Sequence, residues 1–201
     1  DRLNKKTQPS FLCDKKTDWE TLWINMAMLA PGLCDCFYDN LRLEYLGDGD
    51  VRNPDGVETR LVDYGGVSGV QYWGDVVNAL KAEGYTVGTD LFAAPYDFRR
   101  GPKQFMEFDY PRLKSLIENA SAANGGAPVV LCSISMGGSF GHLFLTRFVD
   151  AAWKQRYIDS WISLSGVFNG APMMVDQLTS GNIFYGMLQE PSWIDKNDIR
   201  D

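Results

Sequence analysis

Histidine is almost absent from this sequence, since His142 is the only one among its 201 residues. Long apolar stretches are missing too, because none approaches the roughly 20 residues that a membrane-crossing helix needs. Basic residues are outnumbered by acidic ones, 19 against 26, which gives a formal net charge of -7. We therefore expect no membrane-spanning helix and no nucleic-acid partner, because a phosphate backbone needs a broad cationic surface.

Cysteine is also scarce, and its spacing does not fit a metal site. The four cysteines lie at positions 13, 34, 36 and 132, without a second pair at zinc-binding spacing. We expect no metal ion in this chain. A disulfide between Cys13 and Cys36 would imply an oxidising compartment, whereas four reduced, buried thiols would suit the cytosol. The cysteine count alone favours neither of these two interpretations.

Apolar and aromatic residues are abundant, 45% and 13% of the chain, enough for one globular domain with a substantial core. After residue 72, helical periodicity alternates with extended apolar runs. Helices are predicted at 73–80, 110–117 and 136–148, and extended segments at 85–92, 129–132 and 161–164. This alternation predicts an α/β fold with a mostly parallel sheet flanked by helices, in a single domain spanning residues 1–201.

The N-terminal third has a different pattern. Thr17 and Glu20 have the spacing of a capping box, and the apolar residues behind them recur at helical intervals as far as Ala30. This predicts an amphipathic helix inside the loop that a disulfide from Cys13 would close. Alternating residues at 41–45 and a second run at 60–64 predict two strands joined by a polar hairpin.

The most informative stretch is 129–138, where a buried apolar strand runs into a tight turn and then a helix. This is the setting of a nucleophile elbow, in which a strained turn lifts a serine hydroxyl above the carboxyl edge of a sheet. Ser135 has that position, with the small residues Ser133 and Gly137 on either side. The N–H of Met136 could donate to a developing oxyanion. A phosphate-binding loop or a structural turn is the alternative, although no lysine follows the glycines as in a P-loop.

Two other residues are candidates for a catalytic role. Ser139 lies in a literal G-x-S-x-G match, but the apolar run ends at Cys132, so Ser139 would already lie a full turn into the helix. His142 would lie about 10 Å along the same helix from Ser135, too far to take its proton. A Ser-His-Asp triad therefore needs a base from outside these residues, or the protein is not a hydrolase.

Several sequence blocks, in unbroken order, carry a resemblance to a known family. They are Cys13 with Lys16-Thr17, Leu22-Trp23-Ile24-Asn25, Cys36-Phe37-Tyr38-Asp39-Asn40, Pro54-Asp55-Gly56-Val57 with Arg60 and Tyr64-Gly65, Ala93-Ala94-Pro95-Tyr96-Asp97-Phe98-Arg99, Ser135-Met136-Gly137, Ala152-Trp153-Lys154 with Tyr157-Ile158, and Ser163-Leu164 running to Thr179-Ser180-Gly181-Asn182. Over nearly its whole length the chain resembles the lecithin:cholesterol acyltransferase family, which includes lysosomal phospholipase A. The resemblance implies an α/β-hydrolase fold.

The resemblance also implies roles for particular residues. Ser135 would be the acyl-accepting nucleophile, and the backbone N–H groups of Tyr64 and Met136 would be the oxyanion donors. Cys13 and Cys36 would form the family's disulfide, which favours an oxidising compartment.

Two segments would face lipid by the same resemblance. The disulfide-closed excursion, residues 13–36, would touch a membrane, and packing of its apolar side chains on the core is the alternative. The side chains expected at the lipid interface are Trp19, Leu22, Trp23 and Met26. Residues 166–186 would form a lid, and its apolar side chains expected over an acyl groove are Phe168, Met173, Met174, Ile183 and Phe184.

The chain departs from the family pattern at several points. Ser133 stands where the family has glycine, Ile134 where it often has histidine, and Val62-Asp63 where it has proline-glycine. The family's first strand would precede this chain, and the triad's aspartate and histidine would follow it, so the fold is expected to be incomplete at both ends. Cys34 and Cys132 have no family partner, and we expect Cys132 to be buried in its strand.

The implied activity is that of an interfacial lipid acyl hydrolase or O-acyltransferase. The serine would attack phospholipid esters and pass the acyl group to water, a sterol or another lipid alcohol, without a cofactor. Its partners would be a phospholipid membrane surface and a segment carrying the missing aspartate and histidine, in a secreted or lumenal location. A non-catalytic lipid-binding relative is the alternative, and an ordinary soluble esterase is a third interpretation.

Overall fold

The computed structural model describes residues 1–23, 25–30, 32–68, 73–172, 174–175 and 179. The strands in these ranges are β1 (Arg2–Leu3), β2 (Glu44–Gly47), β3 (Asp50–Arg52), β4 (Val57–Glu58), β5 (Val129–Ile134) and β6 (Ile158–Leu164). The α-helices are α1 (Cys34–Leu41), α2 (Gly74–Ala82), α3 (Pro102–Gln104), α4 (Tyr110–Ala123), α5 (Met136–Leu143) and α6 (Ala151–Tyr157). A 3-10 helix spans Met26–Leu29, and π-helical turns span Phe105–Asp109 and Phe144–Phe148.

The described residues fall into two compact units. Unit 1 comprises those of 1–42, 53–58 and 167–179, and unit 2 comprises 43–52 and 59–166. In unit 1, β1 pairs antiparallel with β4. The predicted disulfide is confirmed: Cys13 is bonded to Cys36 on the buried face of α1, with their Cα atoms 5.3 Å apart. Unit 1 is therefore organised around a covalent link rather than a large sheet.

The predicted helix from Thr17 to Ala30 is wrong. Within the described part of that stretch, only Met26–Leu29 is helical. The Thr17 N–H donates to the carbonyl of Leu3 at 3.2 Å, and the Thr17 hydroxyl accepts from the Leu3 N–H at 3.3 Å. The threonine thus serves a tertiary pairing with β1 instead of capping a helix, and this pairing outweighs the local periodicity.

The first strands of unit 2 form a tighter hairpin than the sequence predicts. β2 and β3 are joined by the two-residue turn Asp48-Gly49, whose φ angles are 51° and 82°. Positive φ at both central residues is the type I′ geometry that matches the twist of a hairpin. The return strand therefore comes at β3, and the strand predicted at 60–64 is wrong because that stretch is irregular.

The helix-strand alternation predicted after residue 72 is confirmed in part. α2, α4 and α5 follow the predicted helices, and β5 and β6 form a parallel pair joined through α5 and α6. Within the described residues this pair is the one parallel sheet, and 85–92 contributes only an isolated bridge between Val87 and Leu91. A larger parallel sheet stays a prediction.

β5 is covered on one face rather than two. Leu131 packs on the core, whereas Val130 is 53% exposed and Ile134 39% exposed on the opposite face. Cys132 shares that open face, so the expectation that its thiol is buried is wrong. Alternate side chains of a strand point to opposite faces, and the helices packed on this strand in the described structure cover only one of them.

The core of unit 2 is an aromatic cluster that supports α5. Tyr110 of α4 is fully buried, and its hydroxyl donates to the carbonyl of Phe140 at 3.0 Å. The ring of Tyr96 stacks on that of Phe140, with centroids 4.0 Å apart. The buried members of the cluster are Phe105, Tyr110, Leu113, Ile117, Phe140, Phe144, Leu145 and Val149. The helix that follows Ser135 is therefore held firmly in place.

No helix in the described ranges combines the length and hydropathy that a membrane span requires.

Candidate active site

Ser135 is the single residue between β5 and α5, where the strand turns into the helix. Its φ of 52° and ψ of -122° are unusual for a residue with a side chain. Its N–H donates to the carbonyl of Leu164 on β6 at 2.9 Å, and its carbonyl accepts from the N–H of Gly138 at 2.9 Å. Such a backbone costs about 1–3 kcal/mol. The surrounding hydrogen bonds thus hold a strained, exposed serine at the edge of the parallel pair.

Close packing behind the turn depends on small residues, although not only on those that the sequence singled out. A Cβ added at Gly137 would lie 3.6 Å from the Cβ of Ser133, an ordinary contact. A Cβ added at Gly138 would lie 2.7 Å from the Cα of Gly166 and 2.8 Å from Oγ of Ser163, which is too close. Gly138 was not predicted as a packing residue, although a second glycine directly after Gly137 was a signal for it.

The other two candidates lie further along α5. Ser139 is its fourth residue and is partly buried, so the strained turn is centred on Ser135, as the strand register predicts. His142 is the seventh residue of α5, and its ring stacks on that of Trp161, with centroids 6.4 Å apart. His142 is thus placed against β6, about two helical turns from Ser135.

Met136, the first predicted oxyanion donor, begins α5. Met136 is 39% exposed and directly follows Ser135, which is also exposed. The N–H groups of the first helical turn have no partner within the helix, and they lie at the positive end of its dipole. Met136 is therefore placed where its N–H could donate to a negative oxygen next to the serine.

Tyr64, the second predicted donor, belongs to a loop with several fixed points. The N–H of Gly65 donates to the carbonyl of Ala93 at 2.8 Å, and the Asp63 carboxylate accepts from the N–H of Ser68 at 2.9 Å. Asp63 itself has a φ of 50°. Two hydrogen bonds and a strained residue therefore define the path of the backbone around Tyr64.

The Tyr64 side chain is held by a cation. The guanidinium carbon of Arg112 lies 4.3 Å from the centroid of the Tyr64 ring. Burial raises the pKa of the Tyr64 hydroxyl to about 12, although the charge of Arg112 acts in the opposite direction. The phenol is therefore neutral at physiological pH. Arg112 could not be identified from the sequence, because an arginine on α4 carries no local sign of this contact.

A partly buried network of ion pairs surrounds Asp97. Arg99 Nη2 lies 2.7 Å from Asp97 Oδ2 and donates to Thr59 Oγ1 at 3.0 Å. Arg100 lies 3.6 Å from the carboxylates of both Asp97 and Asp109. Burial acts to raise the pKa of Asp97, but the hydrogen bonds and charge of Arg99 hold it below its ordinary value, whereas burial raises the pKa of Asp109. This network fixes the segment that leads into α3.

The residues expected at the lipid interface differ widely in exposure. Trp23 is 51% exposed, and its ring stacks on that of Phe37 in unit 1. Trp19 is partly buried, and the side chain of Met26 lies outside the described residues. Leu22 is only 8% exposed, so in this conformation its side chain is buried rather than presented to a membrane.

Two exposed apolar side chains next to the disulfide were missed. Phe11 is 89% exposed and Leu12 is 49% exposed, directly before Cys13. The signal was an apolar pair in an otherwise polar run from Asn4 to Lys16. We call Phe11, Leu12 and Trp23 the exposed apolar set of unit 1.

The predicted lid, 166–186, is described only in part. Phe168 is 52% exposed, Met174 52% and Val175 63%. Met173, Ile183 and Phe184 lie outside the described residues. The lid therefore stays a prediction.

No group of three or more histidine, cysteine, aspartate or glutamate side chains in the described ranges could hold a metal ion. Neither remaining cysteine is paired in the described structure. The Sγ of Cys34 lies 3.3 Å from the carbonyl oxygen of Leu29, and burial, followed by the charge of Asp35, raises the pKa of its thiol.

Comparison with known proteins gives one consistent answer. The family model described as lecithin:cholesterol acyltransferase matches residues 19–192. Lysosomal phospholipase A and acyltransferase of Homo sapiens is 34% identical over 194 residues, which cover 90% of this chain and 46% of the relative. Phosphatidylcholine-sterol acyltransferase of Homo sapiens is 36% identical over 197 residues, which cover 90% of this chain and 43% of the relative. Lecithin-cholesterol acyltransferase-like 1 of Oryza sativa subsp. japonica is 37% identical over 175 residues, which cover 83% of this chain and 40% of the relative. The chain spans less than half the length of these relatives, and it belongs to the lecithin:cholesterol acyltransferase family.

Proposed function

We propose that this chain is the nucleophile-bearing part of an interfacial lipid acyl hydrolase or O-acyltransferase. The observation that carries the proposal is the strained, exposed turn at Ser135 between β5 and α5. The names of two relatives support this chemistry. One is called a lysosomal phospholipase A and acyltransferase, and the other a phosphatidylcholine-sterol acyltransferase. The substrate class we propose is therefore phospholipid ester.

The proposed reaction proceeds through an acyl-enzyme. Ser135 Oγ attacks the ester carbonyl, and the N–H groups of Met136 and Tyr64 stabilise the tetrahedral oxyanion. The triad histidine takes the proton of Ser135 and gives it to the lipid alcohol, which leaves. Water or a second lipid alcohol such as a sterol, deprotonated in turn by the same histidine, then takes the acyl group, and Ser135 regains its proton. Because His142 is the only histidine in these residues and lies about two helical turns from Ser135, we propose that the triad histidine comes from a further segment, and the family resemblance implies the same for the aspartate. No step requires a cofactor.

We propose that unit 1 brings the enzyme to its substrate. The exposed apolar set, Phe11, Leu12 and Trp23, offers side chains that bind at a lipid interface, with Trp19 beside them in the sequence. Residues 166–186 would cover the acyl chain. The disulfide favours a secreted or lumenal compartment, and the name of a lysosomal relative agrees with this.

The nucleophile is tested by labelling the full-length protein with a fluorophosphonate, which reacts only with an activated serine. Ser135→Ala should abolish both labelling and phospholipid turnover. Ser139→Ala is the matched control because Ser139 lies in the literal G-x-S-x-G match on α5, and this variant should keep both. Turnover by Ser135→Ala, or its loss in Ser139→Ala alone, would refute the assignment of Ser135.

The same experiment separates the second candidate, a non-catalytic lipid-binding relative. This candidate is favoured by the single histidine, which lies about two turns from the serine on α5. A full-length protein that binds phospholipid vesicles but neither labels nor turns over lipid would establish it. Labelling that depends on Ser135 would exclude it.

A further inference from the structure

We infer that Trp161 is a positioning residue for Ser135: its indole N–H, bonded to the Ser133 hydroxyl, braces the end of β5 against β6 and α5. The hydrogen bond from Trp161 Nε1 to Ser133 Oγ is 2.9 Å long. The inference rests on the proposed function, because it assigns Trp161 a role through the nucleophile.

The strand register explains how the two side chains meet. Trp161 lies opposite Leu131 in the parallel pair, and Ser133 lies opposite Ser163. Trp161 and Ser133 are therefore diagonal neighbours on adjacent strands, a spacing that a long aromatic side chain can bridge. Both are partly buried on the face of the pair that meets α5.

The ring of Trp161 also contacts the helix directly. Its Cζ2 and Nε1 atoms lie 3.4 Å from the position that a Cβ at Gly141 would take. A Cβ at 141 would thus lie in van der Waals contact with the indole, and the His142 ring stacks on the indole from the same turn of α5. Trp161, which belongs to β6, therefore contacts both other elements that meet at Ser135.

The Ser133 hydroxyl and the Trp161 indole N–H are hydrogen-bond partners. Ser133 is partly buried, and its Cβ lies 3.6 Å from the position that a Cβ at Gly137 would take. A hydroxyl placed there needs a partner, and the indole N–H is a pure donor that needs an acceptor. Removing Trp161 would take the indole donor away from the Ser133 hydroxyl, and removing Ser133 would take this acceptor away from the indole N–H.

The consequence for catalysis is geometric. Ser133 and Gly137 flank Ser135, so the brace sets the angle between β5 and α5 and thereby the position of the Ser135 hydroxyl. Displacements of about 1 Å at a reacting centre lower rates by about a hundredfold. Loosening the brace should therefore slow the chemical step and leave substrate binding almost unchanged.

The kinetic test uses Trp161→Phe, Ser133→Ala and the double variant in the full-length protein, with a dispersed short-chain ester as substrate. We expect Trp161→Phe to lower kcat about tenfold, with KM within about twofold of wild type. The double variant should be no slower than Trp161→Phe, because it no longer contains the unpaired hydroxyl. Losses that multiply in the double variant, or an unchanged kcat in both single variants, would overturn the inference.

Trp153→Phe is the matched control. Its indole also donates a side-chain hydrogen bond, to Glu118 Oε1 at 2.8 Å, but it connects α6 with α4 rather than the Ser135 turn. This variant should keep kcat. A loss in Trp153→Phe equal to that in Trp161→Phe would reduce the effect to general destabilisation.

A readout independent of activity follows the indole itself. The Trp161 N–H resonance, assigned by its absence in Trp161→Phe, should shift and exchange faster with solvent in Ser133→Ala. Ser133→Ala removes a single oxygen, so it keeps the test decisive if Trp161→Phe does not fold. An unmoved resonance would overturn the inference.

If Ser135→Ala keeps turnover, the proposed function fails and the positioning role with it. If Ser135→Ala is inactive but both brace variants keep kcat, only the brace fails.

Discussion

Gly137 and Gly138 are neighbours in α5, yet they have different surroundings. Gly137 has room for a methyl group. At Gly138, an added Cβ would lie only 2.7 Å from the Cα of Gly166. The difference arises because Gly138 lies where α5 passes closest to the end of β6. A single methyl group therefore distinguishes a tolerant site from an intolerant one.

We predict that Gly138→Ala lowers the free energy of unfolding by about 1–3 kcal/mol, because backbone atoms must move to admit the methyl group. Gly137→Ala should change it by less than about 1 kcal/mol, since its methyl group makes an ordinary contact and alanine favours helix. Urea unfolding of the two variants measures both values. Equal losses would contradict the packing at Gly138.

At the scale of elements, unit 1 depends on its covalent link. β1 and β4 have two residues each, the 3-10 helix has four and α1, which carries Cys36, has eight. Such short elements bury little apolar surface by themselves. The disulfide, with a sequence separation of 23, restricts the unfolded chain and compensates for this.

We predict that replacing Cys13 and Cys36 together with serine lowers the free energy of unfolding by about 3 kcal/mol, the value for a loop of this size. Cys34→Ser is the control, because Cys34 is not disulfide-bonded and should contribute far less. Denaturant unfolding of the oxidised proteins is the measurement. If the double variant matched wild type, the disulfide would not stabilise unit 1.

Considered over all 201 residues, the membrane attachment that we propose would rely on apolar contacts. The net charge of these residues is -7, so anionic lipid would repel this part of the protein. The exposed apolar set of unit 1 would have to supply the attraction. Apolar contact with lipid would thus distinguish the proposed interfacial enzyme from a soluble esterase.

We predict that Trp23→Ala weakens binding to zwitterionic phosphatidylcholine vesicles by about tenfold, the loss of part of one aromatic side chain from the interface. Turnover of a dispersed short-chain ester should be unchanged. The control is Tyr85→Ala, an aromatic residue of unit 2 that is 45% exposed and lies outside the 13–36 excursion. Vesicle flotation and ester hydrolysis give the two values. Equal binding by wild type and Trp23→Ala would favour the soluble esterase.

The local parts of this protein were predictable from its sequence. The turn at Ser135 follows from an apolar strand, a serine and two glycines within ten residues, and short-range sterics decide such a turn. The Cys13–Cys36 pair followed from the family blocks, and α2, α4 and α5 followed from helical periodicity. The signals for the turn and the helices are carried by residues that are close together in the sequence, whereas the signal for the disulfide came from blocks spread over nearly the whole chain.

The tertiary structure decided everything that depends on residues far apart in the chain. Pairing with β1 made 17–23 non-helical despite its periodicity, and Leu22 is buried where the sequence predicted a lipid contact. Whether β5 is covered on one face or two depends on what packs against it, and the sequence of the strand does not record that. The contacts of Gly138 with Gly166 and of Trp161 with Ser133 likewise join residues 28 apart. They arise because the parallel crossover brings two distant strand ends to one edge.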